Sequence, residues 1–100
     1  MKILIAVHDL YRKVIAVCDT ELIGKTFEEG ELNLEVKENF YKGKEFEEKK
    51  AIEFLQDLTK EDACFNIVGK NSISICEKAG IIAKNNCLTI QGIPHAMALL

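Results

Sequence analysis

Two apolar runs near the start of the chain constrain its fold more than any other feature. Residues 2–8 and 13–18 are rich in β-branched and other apolar side chains, and only residues 9–12 separate them. Two such runs joined by a short polar segment predict a β-hairpin. Because both runs are apolar almost throughout, we expect these strands to lie inside a sheet or to be covered on both faces.

The next part of the chain carries the clearest periodic patterns. Residues 32–36 alternate between apolar and polar side chains, which predicts a strand with one wet face. Residues 45–59 place an apolar stripe at helical spacing and predict the best helix of the chain. The stripe consists of Ala51, Phe54, Leu55 and Leu58.

The C-terminal part predicts a βαβ unit over residues 63–90, formed by an apolar strand, a helix and a second strand. Asn71 or Ser72 can cap the start of this helix, and Gly80 stands where a left-handed residue commonly ends one. An apolar segment then follows Pro94.

Length and composition indicate one folded domain over residues 1–100, since the chain is 48% hydrophobic and 29% charged. We predict an α/β protein, with α+β as the alternative, that has a mixed sheet of five or six strands and two or three helices. No run reaches the roughly 20 apolar residues of a membrane span, and the N-terminal run is too short for a signal peptide. The protein is therefore expected to be cytoplasmic and not bound to membranes.

The four cysteines, at positions 18, 64, 76 and 87, contain no C-x-x-C pair. Their spacings match no ordinary zinc module, and three of them lie within apolar patterns. We expect buried free thiols, with a metal site and disulfides as weaker alternatives. Neither a metal nor a cofactor is predicted.

The stretch 17–27 concentrates chemically versatile residues where the second apolar run ends. Cys18 followed by Asp19 resembles a nucleophile beside an acid, but a packed cysteine before a helix-capping Asp19 or Thr20 explains the same residues. Gly24-Lys25-Thr26 imitates the end of a phosphate-binding loop. The full motif needs a glycine where Asp19 stands, so a nucleotide-hydrolysing loop is not predicted.

A second candidate anion site follows the strand that contains Asn66. Gly69 and Lys70 stand where this strand gives way to the predicted helix, whose free N–H groups favour negative charge. His95 is the histidine best placed for acid–base work or for hydrogen bonding to a phosphate or a base. His8 is expected to be structural. Phe40 and Tyr41 lie beside lysines and could stack on a base, although a packed turn is the simpler interpretation.

Four motifs along the chain belong together. They are Cys18-Asp19-x-Glu21-Leu22-Ile23-Gly24-Lys25-Thr26-Phe27-x-x-Gly30-x-Leu32-x-Leu34, Phe40-Tyr41-x-Gly43, Asn66-Ile67-Val68-Gly69 and Ile93-Pro94-His95-Ala96. Taken together, they resemble a family of short archaeal proteins known as domain of unknown function 424. This resemblance implies a small single-domain cytoplasmic protein, and it carries no known activity. It also gives weight to Asp19, Lys25, Asn66 and His95 as a shared surface.

We expect a non-catalytic binding module for RNA or a ribonucleoprotein, with Lys25, Asn66, Gly69, Lys70 and His95 as ligand-binding candidates. A net charge of −3 means that any affinity for RNA must come from a local basic patch. The alternative is a small enzyme that uses Cys18 or Asp19 with His95 on a phosphorylated or acyl substrate. A third possibility is a protein-interaction subunit that forms a homodimer or docks through residues 96–100.

Overall fold

The computed structural model describes residues 1–100, and its centre is a six-stranded mixed sheet. The spatial order of the strands is β5-β1-β2-β6-β8-β7. A separate antiparallel hairpin, β3–β4, lies beside this sheet. The strands are β1 (Lys2–Asp9), β2 (Lys13–Asp19), β3 (Thr26–Glu29), β4 (Leu32–Glu35), β5 (Lys44–Glu47), β6 (Ala63–Val68), β7 (Leu88–Ile90) and β8 (Ile93–Leu99).

Three α-helices accompany the strands, which makes this an α+β domain. They are α1 (Glu38–Tyr41), α2 (Glu48–Leu58) and α3 (Lys70–Lys78), and a short 3-10 turn covers Thr20–Leu22. None of these helices combines the length and the apolar character that crossing a membrane would require.

The predicted N-terminal hairpin is confirmed. β1 and β2 are antiparallel neighbours in the middle of the sheet, where Ile15 and Val17 are completely buried. This position explains the apolar run of β2, whose residues 15–19 are all buried, whereas Val7 of β1 remains 41% exposed.

The side chains of the sheet divide between two hydrophobic clusters, one on each face. The larger cluster joins Ile3, Ile15 and Phe65 of the sheet to α2 and α3. The smaller cluster lies on the other face, where Ala16 and Cys18 pack against residues from the β3–β4 hairpin and α1. We call the first face the helix face. We call the second the open face, because the β3–β4 hairpin and α1 cover only part of it.

The helix predicted over residues 45–59 begins later, at Glu48, because residues 44–47 form the edge strand β5. Phe46 pairs with Ile3 in the ladder to β1, and its ring stacks on Phe54 with 4.8 Å between centroids. The apolar stripe of α2 stands as predicted. The long-range pairing of β5 with β1 overrides the helical preference of Glu45 and Glu47, which precede α2.

The C-terminal βαβ unit is present, with the additional strand β8 inserted between its two strands. β6 and β7 run in the same direction, since both are antiparallel to β8, and β8 lies between them. Gly80 has the expected positive φ of 81°. The helix α3 begins at Lys70 with Gly69 as its cap residue, so the prediction of Asn71 or Ser72 as the cap was wrong.

Candidate ligand-binding groove

A groove of about 580 Å³ lies on the open face, between the β3–β4 hairpin and the C-terminal strands. Apolar side chains form much of its wall, and its polar groups come from four asparagines, one histidine, one tyrosine and one cysteine. No charged side chain lines it. The lining residues are Asn33, Leu34, Tyr41, Asn66, Ile67, Val68, Asn85, Asn86, Cys87, Leu88, His95, Ala96 and Met97.

The sheet register brings Asn66 and His95 together in this groove. Asn66 pairs with Met97, and His95 is two residues from Met97 on the same strand and therefore on the same face. Diagonal neighbours of this kind lie roughly 7–8 Å apart. The two side chains therefore form adjoining parts of one groove wall.

Both side chains have unused hydrogen-bonding capacity. Nδ1 of His95 is buried and has no hydrogen-bond partner. The Asn66 amide also makes no hydrogen bond within the chain, although it can donate two and accept two. Since buried polar groups are normally paired, the unpaired imidazole nitrogen points to a ligand or solvent partner in this groove.

Tyr41 adds a neutral aromatic group to the same groove. Burial raises the pKa of its phenol to about 12, and the neighbouring Cys18 adds to this effect. The hydroxyl therefore stays protonated at neutral pH, where it can both donate and accept. The groove thus offers an aromatic ring, amides and an imidazole, without a fixed charge.

Asp19 has a different role from the one that its position beside Cys18 suggested. Its carboxylate is 3% exposed and accepts hydrogen bonds from the Asn71 N–H at 3.1 Å and from the Ser72 N–H at 2.7 Å. Ser72 Oγ donates a further bond at 2.7 Å. Asp19 therefore caps the N-terminus of α3 from a distant strand, and it makes no side-chain cap for the 3-10 turn that follows it.

This cap fills the position where Gly69 and Lys70 were expected to bind an external anion. Gly69 is buried, and a Cβ added there would lie 2.3 Å from Cγ of Asp19. The free N–H groups of the helix thus already hold a negative charge from the chain itself. Lys70 is exposed at the first position of the helix and makes no ion pair.

Cys18 is fully buried, and its thiol donates to the Asp19 carbonyl oxygen at 3.1 Å. Burial raises the pKa of this thiol to about 12, with smaller contributions from the negative charges of Asp19 and Glu21. A thiol with this pKa stays protonated at neutral pH, whereas a nucleophile needs the thiolate. In the sheet register Val68 stands between Cys18 and His95, so about 10 Å separates their backbones.

Lys25 lies in a second groove, of about 700 Å³, rather than beside Asn66 and His95. Lys37 and Lys42 line the same groove, together with the carboxylates of Glu35 and Glu38. Lys42 pairs with Glu38 at 3.2 Å, whereas Lys25 and Lys37 make no ion pair. This lysine groove and the neutral groove flank the same two elements, since β4 and α1 each contribute residues to both grooves.

The sequence missed several members of the neutral groove. Asn85 and Asn86 come from the loop before β7, and Asn33 comes from the exposed side of β4. The positive φ of Asn85, at 64°, is typical of a turn asparagine, so composition alone favoured a loop there. Only the fold shows that this loop faces Asn66.

His8 has a structural environment. Its Nε2 lies 2.7 Å from the carbonyl oxygen of Phe40, and the two rings stack with 4.8 Å between centroids. This stacking occupies one face of Phe40, which the sequence had offered as a possible base-stacking residue. All four cysteines are free, and no three histidine, cysteine or acidic side chains cluster as a metal site would require.

The fold and groove define a small α+β domain with a mixed six-stranded sheet, and the comparisons with known proteins give its family. Residues 8–100 match the family described as protein of unknown function (DUF424), and the chain belongs to this family. A search of curated proteins gave no match.

One solved structure has the same fold. It is an uncharacterized conserved protein from Methanopyrus kandleri, which is 23% identical and superposes with a TM-score of 0.89. The alignment covers 99% of this chain and 91% of that one. At this identity the likeness supports the fold alone.

Proposed function

We propose that this protein is a non-catalytic binding module for single-stranded RNA, with the neutral groove holding one unstacked base. The observation that carries the proposal is the uncharged groove in which Asn66 and the buried, unpaired Nδ1 of His95 share a wall. A nucleobase is planar and neutral and carries several donors and acceptors on its edges, which suits this lining.

The lysine groove supports the same proposal. A strand whose base enters the neutral groove can place its phosphates across β4 and α1, close to Lys25 and Lys37. Phosphate contacts supply most of the affinity of such modules, and base contacts supply the preference. Because the whole chain carries a charge of −3, an RNA contact depends on this local patch, in which Glu35 and Glu38 offset part of the lysine charge.

The free cysteines and the archaeal source of the structural neighbour support a cytoplasmic location in an archaeal cell. The enzyme alternative has no comparable support. Cys18 is buried and protonated, and Asp19 is engaged by α3.

The proposal is tested by fluorescence anisotropy with labelled single-stranded oligonucleotides of about eight nucleotides, one for each base. The double variant Lys25→Ala/Lys37→Ala should weaken binding to every oligonucleotide. The plot of log K against log salt concentration should also become less steep by about 1.4, because each of the two lost phosphate contacts contributes about 0.7 to the slope. Lys49→Ala/Lys50→Ala is the matched control, because it removes the same charge at the start of α2 on the helix face.

The groove variants Asn66→Ala and His95→Ala should instead reduce the preference among bases. Loss of one base contact is expected to cost about 1–3 kcal/mol for the preferred base and little for the others. Absence of binding at about 50 mM salt would refute the proposal. Equal effects of the two double-lysine variants would show that any binding is unspecific charge attraction.

A further inference from the structure

The two edges of the main sheet differ in their protection against another strand. At one edge, β5 presents Lys44, Glu45 and Glu47, and charges of this kind oppose edge-to-edge pairing. At the other edge, β7 covers β8 only as far as the pair between Leu88 and His95. The rest of β8, residues 96–99, has an open edge with no charged side chain.

The hydrogen bonds show which backbone groups this open edge presents. Leu100 and Ala63 exchange N–H···O bonds of 2.9 and 3.2 Å, and Gly69 N–H donates to the Pro94 carbonyl at 2.8 Å. Bonding alternates along an antiparallel ladder, so the even-numbered residues of β8 direct their backbone groups toward β6. The N–H and C=O groups of Met97 and Leu99 therefore point outward at the open edge, where no strand pairs with them.

We propose that a second copy of this chain pairs with this edge, β8 against β8, about a two-fold axis at Ala98. An antiparallel pairing centred there opposes Met97 of each copy to Leu99 of the other. All outward backbone groups of both residues then find partners. Pairing Met97 with Met97 would instead oppose Leu99 to His95, whose outward side already meets Leu88.

The exposed side chains support the same register. Leu88, Met97 and Leu99 are 72%, 72% and 68% exposed, unusually high values for large apolar residues within strands. Leu88 and Met97 line the open-face groove. In the proposed pairing, Leu99 of the second copy lies opposite Met97, in line with β7 and two positions beyond Leu88. Three exposed apolar side chains therefore meet, and the second copy extends the wall of the neutral groove.

This inference stands apart from the RNA proposal, and sedimentation equilibrium over a dilution series of the full chain tests it. The expected mass is twice the 11.2 kDa of one chain, falling to one chain on dilution. Met97→Lys and Leu99→Lys should each weaken the dimer at least tenfold. Leu32→Lys is the matched control, because Leu32 is 55% exposed on the separate hairpin.

Disulfide trapping tests the register. Ala98 of each copy would form a non-hydrogen-bonded pair, whose Cα atoms lie about 4.5 Å apart and can be bridged by a disulfide. Ala98→Cys should therefore oxidise to a covalent dimer at least tenfold faster than Ala96→Cys or the native chain. A monomer throughout the series would overturn the proposal. A dimer that ignores both lysine substitutions, or that Ala96→Cys traps equally fast, would also overturn it.

Discussion

Asp19 illustrates how one residue can suggest a catalytic acid in the sequence and act as a helix cap in the fold. Its carboxylate holds the start of α3 through the N–H groups of Asn71 and Ser72 and the Ser72 hydroxyl. The partners are more than fifty positions away in the sequence, so no local pattern could reveal them. The Asp19 carboxylate also explains the glycine at position 69, because a Cβ there would collide with it.

Replacing this cap should reduce stability. Asp19→Ala is expected to lower the free energy of unfolding by about 2–4 kcal/mol, because the cap is lost and the buried groups of Ser72 are left unpaired. Urea unfolding followed by circular dichroism measures this change. Glu21→Ala, at an exposed neighbouring position, should stay within about 0.5 kcal/mol. A stable Asp19→Ala protein that has lost RNA binding would instead indicate a ligand contact.

Among the elements, β5 depends on a close approach of two backbones. A Cβ added to Gly43 would lie 2.2 Å from the Ile5 carbonyl oxygen and 2.6 Å from Cα of Ala6. These neighbours belong to the backbone of β1 and cannot rotate away. Gly43 is therefore required where α1 leads into the edge strand.

Gly43→Ala should displace the start of β5 from β1. We expect a loss of about 2–3 kcal/mol in the free energy of unfolding, as for other overpacked sites. Hydrogen exchange should show faster exchange of the β5 amides, while those of β6 are less affected. The exposed neighbour Lys44 provides the control, since Lys44→Ala adds no atom to this contact. Unchanged protection of β5 in Gly43→Ala would contradict this interpretation.

At the scale of the whole molecule, buried thiols link folding to pH. Burial raises the pKa of Cys76 from the ordinary value of 9.0 to about 12, and Cys18 is raised similarly. The folded state therefore favours the protonated thiols. Their contribution to the free energy of unfolding is complete below pH 9, where these thiols are protonated in the unfolded chain as well. It is lost as the pH rises toward 12.

The free energy of unfolding should accordingly fall between about pH 9 and 12, by up to about 1.4 kcal/mol per pH unit for each such thiol. Urea unfolding at several pH values in this range measures the slope. Cys76→Ala should be less stable at pH 8, because it leaves a cavity in the helix-face cluster. Its free energy of unfolding should, however, fall less steeply between pH 9 and 12. Identical slopes for the two proteins would show that Cys76 does not contribute.

The sequence by itself determined the elements whose signals are local. The apolar runs of the first hairpin, the stripe of α2 and the left-handed residue Gly80 all follow from neighbours within a few positions. Residues 45–47 were wrongly assigned to the helix because their pairing with β1 is a long-range contact. Local periodicity does not identify such a partner.

Only the tertiary structure decided which polar residues share a site. Asn66 and His95 meet because β6 and β8 pair in one particular register, and a shift by one residue would send His95 to the other face. Lys25 and Lys70 lie elsewhere, in the loop before β3 and at the start of α3. Register depends on packing summed over the whole sheet, so the residues of the site were visible in the sequence but their arrangement was not.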